Sequence, residues 1–391
     1  MSIGLCWLAL LALFALTTWL GQRLGLIAIV SQLLFGMFGL PLLLWWAAPL
    51  GVDAAALLAP QWLHGVYGLA FSLLLGCLLS DVVDLDLQPA SLKIALPSFF
   101  VPFFCGLAVA QWLLPGLSTL AGVAVGLLFA LTAIPVLFLY LQHQHYPQAK
   151  IRQLLQAAIL MDVFCWLIYG LAQGGSQPST LLWPLVAAGT PLLLKLLQRA
   201  WPQWQSARLN GLIFLALLLL LQQLKLNALL FGIGYLLLLA GLRLPLQTPL
   251  PAACLAWLQN WLWVPLILAY GLLQIDWHNA WQGYGGLQFA SLLVLPIISK
   301  LAGNWLGLSW ADGQLRARRG KWRESLLLNT RGLTEIVFLN LLLQQQVIGA
   351  ELYFALMLMG LIATLLPAFA GRPRHRTIQS KTEARSPDER C

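Results

Sequence analysis

Apolar runs long enough to cross a bilayer follow one another along almost the whole chain. A spanning helix needs about 20 mostly apolar residues. Such runs lie at Ile3–Leu20, Gly25–Ala47, His64–Ser80, Ser91–Leu114, Leu117–Leu141, Leu154–Ala172, Leu181–Leu197, Leu209–Leu224, Ala228–Leu242, Ala252–Leu273, Leu287–Leu308, Leu326–Leu343 and Tyr353–Ala370. That makes thirteen; dividing Leu209–Leu242 differently would leave twelve. Only 9% of the 391 residues are charged and 60% are hydrophobic. A soluble domain carries about 25% charged residues, so this chain cannot cover itself with polar surface in water. A soluble enzyme, a disordered protein and a nucleic-acid module are excluded, and an all-α polytopic membrane protein of about thirteen transmembrane helices is expected.

The net charge of +9 fits the same reading. With the N-terminus outside and the spans alternating, nineteen of the 22 Lys and Arg fall on inside loops and helix ends, from Arg23 to the tail. Outside loops receive only Lys225, and Lys300 and Arg331 fall within spans. This asymmetry predicts a cytoplasmic C-terminus by the positive-inside rule. Asp81, Asp84 and Asp86 carry little topological weight. Met1–Leu20 has no basic n-region and no small-residue cleavage site, so it is expected to stay as the first helix rather than be removed as a leader. Residues 372–391 read as a short polar cytoplasmic tail touching anionic lipid. The six cysteines are scattered without a CxxC pair and read as small buried hydrophobes. No Walker A loop, GxSxG or HExxH occurs, and none of the five His falls at mid-span. Neither an enzyme nor ATP-driven transport is expected, and no cofactor is implied.

Ionisable groups in hydrocarbon are costly and usually mark an ion path. Asp162 lies mid-run in LQAAILMDVFCWLIYGL. A carboxylate there can ligate a dehydrated monovalent cation or hold a proton, and a group that does one or the other is a minimal exchanger. The alternative is a structural aspartate paired with a helix end or a lysine. Lys300, in LLVLPIISK, either snorkels from a helix end or reaches inward to pair with Asp162. Arg331 and Glu335 are four apart in NTRGLTEIVFLN, where they would share a helical face and satisfy each other, or act in transport. Two spans carry helix breakers at mid-run: Pro135, with Thr132 beside it, and Gly332. Each lies in the middle of a set of three spans, the fourth to sixth and the eleventh to thirteenth. Paired interrupted helices are the best sequence pointer to a transporter site; an ordinary proline kink is the plainer reading.

These segments resemble the monovalent cation:proton antiporters of the second large family, the Kef-type and plant cation/proton exchanger branch. LTAIPVL (Leu131–Leu137) is similar to its Thr-Ala-Phe-Pro-Val-Leu signature, and NTRGLTEIVFLN (Asn329–Asn340) to its Asn-Thr-Arg-Gly-Leu-Val-Glu segment. AAILMDVFCW (Ala157–Trp166) places Asp162 on the family's essential aspartate, and SKLAGNWLG (Ser299–Gly307) places Lys300 on its membrane lysine. GLIAIVSQLLFGMFGLP (Gly25–Pro41) and SDVVDLDL (Ser80–Leu87) match more weakly. The four stronger motifs occur in order over nearly the whole membrane region.

The resemblance implies the inverted-repeat sodium/proton antiporter fold, in which two broken helices cross beside the aspartate. It implies a homodimer whose protomer has a six-helix core (about 91–174 and 285–371) moving against a dimerisation panel (about 1–90 and 208–284), within one transmembrane domain of residues 1–371. By residue, Asp162 would carry Na⁺ or K⁺ or a proton and Thr132 would help ligate the cation. Lys300 would be the countercharge, and Arg331 and Glu335 structural charges at the second broken helix. The expected partners are the monovalent cation, H⁺ and the lipid of a bacterial-type inner membrane, with no nucleic acid and no other metal. The sequence departs from the family at Met161, where the family has Asn or Asp; a thioether ligates hard cations poorly. The Kef-type nucleotide-binding domain is also missing, so gating of that kind is not expected within this chain. A non-transporting scaffold or sensor, or an uncoupled cation uniporter, are the alternative functions.

Overall fold

The computed structural model describes residues 3–47, 53–80, 88–173, 178–201, 206–224, 226–247, 251–275, 284–312 and 318–369. Asp81, Asp84, Asp86, Lys225 and residues 372–391, on which the topology reading drew, lie outside them. Each of the thirteen expected spans has a helical counterpart. Six are continuous α-helices of twenty residues or more: Ile3–Arg23, Gln61–Ser80, Pro89–Leu113, Gln148–Gln173, Gly286–Asp312 and Ala350–Phe369, the first, third, fourth, sixth, eleventh and thirteenth. The eighth (Ala207–Gln223) and ninth (Ala228–Gly241) are shorter, and the seventh bends at Gly189 between Pro178–Ala188 and Thr190–Ala200.

The second and tenth spans each carry a π-helical turn, at Phe35–Gly39 and Gln259–Trp263. A π-turn disturbs the regular i→i−4 ladder; here the Gln32 side chain donates to the Asn260 carbonyl at 2.7 Å and ties the two spans together. The fifth and twelfth spans are interrupted outright. Thr119–Ala130 and Ile134–His143 are separated by three unwound residues, and Arg318–Leu327 and Leu333–Gln344 by five.

Among the described residues the fourth and eleventh spans pack together most extensively, and glycines permit it. A Cβ on Gly303 would sit 2.5 Å from the Pro97 carbonyl, and one on Gly307 2.5 Å from the Ile94 carbonyl. Gly303 and Gly307 form a GxxxG stripe, the small-residue device by which membrane helices approach without a hydrophobic driving force between them. On the fourth span Gly106 meets Gly126 of the fifth in the same way. At one end of this group Lys150 bonds Asp312 at 2.8 Å and lies 3.4 Å from Glu324, joining the sixth, eleventh and twelfth spans.

Exposed tryptophans gather at helix ends. Trp45, Trp46, Trp62, Trp112 and Trp183 lie at the ends of spans on one side, and Trp19, Trp201, Trp257, Trp310 and Trp322 at the ends on the other. Arg23 stacks over Trp19 at 4.0 Å. Amphipathic rings of this kind mark the two membrane–water interfaces, so the protein is a multi-pass membrane protein.

Candidate functional site

The two unwound segments meet. The amide of Ala133 donates to the Thr330 carbonyl at 2.9 Å, and the Thr132 hydroxyl to the Leu328 carbonyl at 3.2 Å. A Cβ on Gly332 would lie 3.1 Å from Val136 and 3.3 Å from Ala133, so the absence of a side chain there lets the breaks cross closely. Pro135 sits in the first turn of its half-helix, where its missing N–H is no loss. Unwound backbone at membrane depth must find partners within the protein, and here the first break supplies the donors and the second the carbonyls that accept them.

Four carbonyls end every α-helix without intrahelical partners. For the half-helix Thr119–Ala130 all four are accounted for. Leu127 accepts from the amide of Leu131; Leu128 and Phe129 accept from the Arg331 guanidinium, the latter at 2.7 Å; Ala130 accepts from Lys300 Nζ. Two basic side chains thus cap the negative pole of one half-helix. The corresponding end of Arg318–Leu327 is capped without charge. Asn304 donates to the Ser325 carbonyl at 2.9 Å, and the amides of Leu328, Asn329 and Thr330 turn back on Glu324, Leu326 and Leu327.

Lys300 has a second carbonyl, that of Ser98 at 3.1 Å. Pro102, four residues on within the fourth span, has no N–H to offer it. Lys300 therefore satisfies one carbonyl freed by a proline and another freed by a helix end. It also lies 3.3 Å from the Met161 sulfur. It is fully buried at mid-helix, so the snorkelling alternative does not apply. Asp162 follows Met161 on the sixth span, is 7% exposed, and belongs to a helix that packs on both halves of the broken fifth span. Arg331 lies in the unwound segment rather than on the helix that carries Glu335, and their contact at 3.3 Å is secondary to Arg331's two carbonyls. Glu335 stands in the first turn of Leu333–Gln344, a favourable place for an acid, packed against Gly360.

Sequence reasoning missed several participants. Thr364 on the thirteenth span donates to the Arg331 carbonyl at 2.7 Å and anchors the second break. Asn329 is fully buried there, and among the described residues neither atom of its amide has a partner. A polar residue in a long apolar run was the available signal for Thr364, and the PSFFVP spacing for the Ser98 carbonyl. A cavity of about 720 Å³ opens from one end of the spans; Gln22, Gln144 and Asn260 line it, and it reaches Pro135, Val136 and Leu333 beside the crossing. Among the described residues no group of three or more His, Cys, Asp or Glu could hold a metal ion.

No profile of a known protein family matches the chain. It is 26% identical over 334 residues to cation/H⁺ antiporter 19 of Arabidopsis thaliana, an alignment covering 74% of this chain and 40% of that protein. Its structure is similar to that of the sodium proton antiporter MjNhaP1 from Methanocaldococcus jannaschii, with a TM-score of 0.57, 94% of each chain covered and 15% identity. These similarities match the cation:proton antiporter resemblance that the sequence motifs carry. The protein's fold is the sodium/proton antiporter fold with two crossed broken helices, as the sequence motifs implied. The chain spans about two-fifths of the length of the curated relative that it matches.

Proposed function

We propose that the protein is a secondary antiporter exchanging a monovalent cation, Na⁺ or K⁺, for H⁺ by alternating access. One observation carries the reading: a carboxylate at mid-membrane, Asp162, is next in sequence to the side chain that touches the fully buried Lys300, itself seated on the crossing of two broken helices. Asp162 alternates between the protonated and the cation-bound form. Thr132 and the buried amide of Asn329 supply further oxygen to the cation. Lys300 is the countercharge, and Arg331 and Glu335 keep the crossing in shape. The six-helix core moves only when the charge on Asp162 is compensated, which couples the two fluxes by differential binding to two states. The cavity beside Pro135 is the water-filled approach from one side. The protein works as a homodimer in a bacterial-type inner membrane, with its N-terminus outside and its C-terminus in the cytoplasm.

Everted vesicles with a pH-sensitive dye test the exchange. Addition of Na⁺, K⁺ or Li⁺ is expected to trigger proton efflux for at least one ion. A cation flux with no proton movement would replace the antiporter with a uniporter. Silence toward all three would favour a scaffold or sensor. The seating of Lys300 on Met161, where the family has a polar residue, is the observation that keeps that second reading in view.

A further inference from the structure

A second cavity, of about 700 Å³, opens at the opposite end of the spans from the first. His64, Tyr270 and Gln274 line it from the third and tenth spans, and Gln344, Val347 and Gly349 from the end of the twelfth. Its floor is tightly closed. A Cβ on Gly271 would collide with the Asn340 amide oxygen and the Tyr353 hydroxyl and would lie 3.0 Å from Asn340 Cγ. Asn340 donates to the Tyr353 hydroxyl at 3.1 Å, and the Tyr67 ring lies 4.0 Å from that of Tyr270. Every residue of Val264–Leu272 is buried.

The seal is polar as well as tight. Among the described residues, neither the Asn340 amide oxygen nor the Tyr67 hydroxyl has a hydrogen-bond partner, although both are buried. Buried polar atoms are nearly always paired, because burial without a partner forfeits their hydration. Two such atoms in one layer, under a polar cavity, fit a surface that is dry in one state and wet in another.

We propose that the contact of Gly271 with Asn340 and Tyr353 is the closed gate on the His64 side of the protein, where the tenth span meets the twelfth and thirteenth. The inference rests on the alternating-access reading. Gly271 is a positioning residue: its lack of a side chain lets the moving helices shut, and opening gives Asn340 and Tyr67 the water they lack.

The test is the full-length triple variant Gly271→Cys, Asn340→Cys, Tyr353→Phe, which removes both polar atoms that a Cβ at 271 would meet, in liposomes under mild oxidant. The 3.0 Å spacing from a Cβ at 271 to the position of Asn340 Cγ, where a thiol sulfur would sit, suits a disulfide. The cross-link, located by peptide mass spectrometry, is expected to form readily, to lower exchange at least tenfold, and to release it on reduction. Cross-linking that leaves exchange within twofold overturns the gate, as does a folded variant that does not cross-link. If the unaltered protein exchanges no cation, or the triple variant does not fold, a second measurement decides. In the single variant Asn340→Cys the thiol at position 340 is expected to react with a charged, water-soluble maleimide at least tenfold faster than that of Ala124→Cys, a fully buried control. Equal rates mean the seal never opens.

Discussion

Lys300 Nζ lies 3.3 Å from the sulfur of Met161, the residue immediately before Asp162. A thioether is a weak acceptor, so this contact orients the amine less firmly than its two carbonyls do. The position next to the mid-membrane carboxylate is therefore filled by a group that neither binds a hard cation nor holds a charge. On the proposed antiport reading, the chemistry left to the pocket falls to Asp162.

That relationship separates two substitutions. Met161→Leu keeps the volume and removes only the sulfur; it is expected to cost less than about 1.5 kcal/mol and to leave exchange unchanged. Met161→Asn gives Lys300 a stronger acceptor and is expected to preserve or raise exchange. Vesicle assays check both. A folded Met161→Asn protein without activity would mean that the pocket is built around the thioether.

Asp162→Asn is expected to abolish cation-triggered proton efflux while the protein still elutes as a single species on size exclusion. Retained exchange would move the carrier site elsewhere.

Lys300→Met strips the partner from the Ser98 and Ala130 carbonyls, and a loss of about 3 kcal/mol follows from leaving two buried acceptors unpaired. Adding Pro102→Ala returns an N–H to the Ser98 carbonyl and is expected to recover about 1 kcal/mol. Chemical denaturation in detergent measures both. Losses that simply add would show that Pro102 and Lys300 do not share that carbonyl.

Thr132→Val removes the hydroxyl that bonds Leu328 across the two breaks and is expected to cost about 1–3 kcal/mol and to weaken cation dependence of exchange. Thr132→Ser is expected to restore both. Equal behaviour of the two variants would deny the hydroxyl any part.

Gly307→Leu drives a side chain into the Ile94 carbonyl and is expected to separate the fourth and eleventh spans, carrying Lys300 away from Ser98. Loss of a folded peak on size exclusion, or of exchange in a protein that still folds, checks this. A stable, active variant would show that these helices pack less closely in the membrane.

Much was legible in the sequence because the bilayer is a severe solvent. It forces long apolar runs, sorts basic residues and leaves buried charges and helix breakers conspicuous, so the thirteen spans and the residues Asp162, Lys300, Arg331, Pro135 and Gly332 stood out one by one. Their partners did not. Lys300 bonds carbonyls 202 and 170 residues away, and Arg331 reaches back 203 and 202 residues to Leu128 and Phe129. A carbonyl has no letter in a sequence, and which orphaned one a basic side chain will cap depends on where two helices cross. Sequence determined which groups could not be left in lipid. Only the tertiary structure decided what satisfies them, because long-range hydrogen bonds are fixed by packing and not by spacing along the chain.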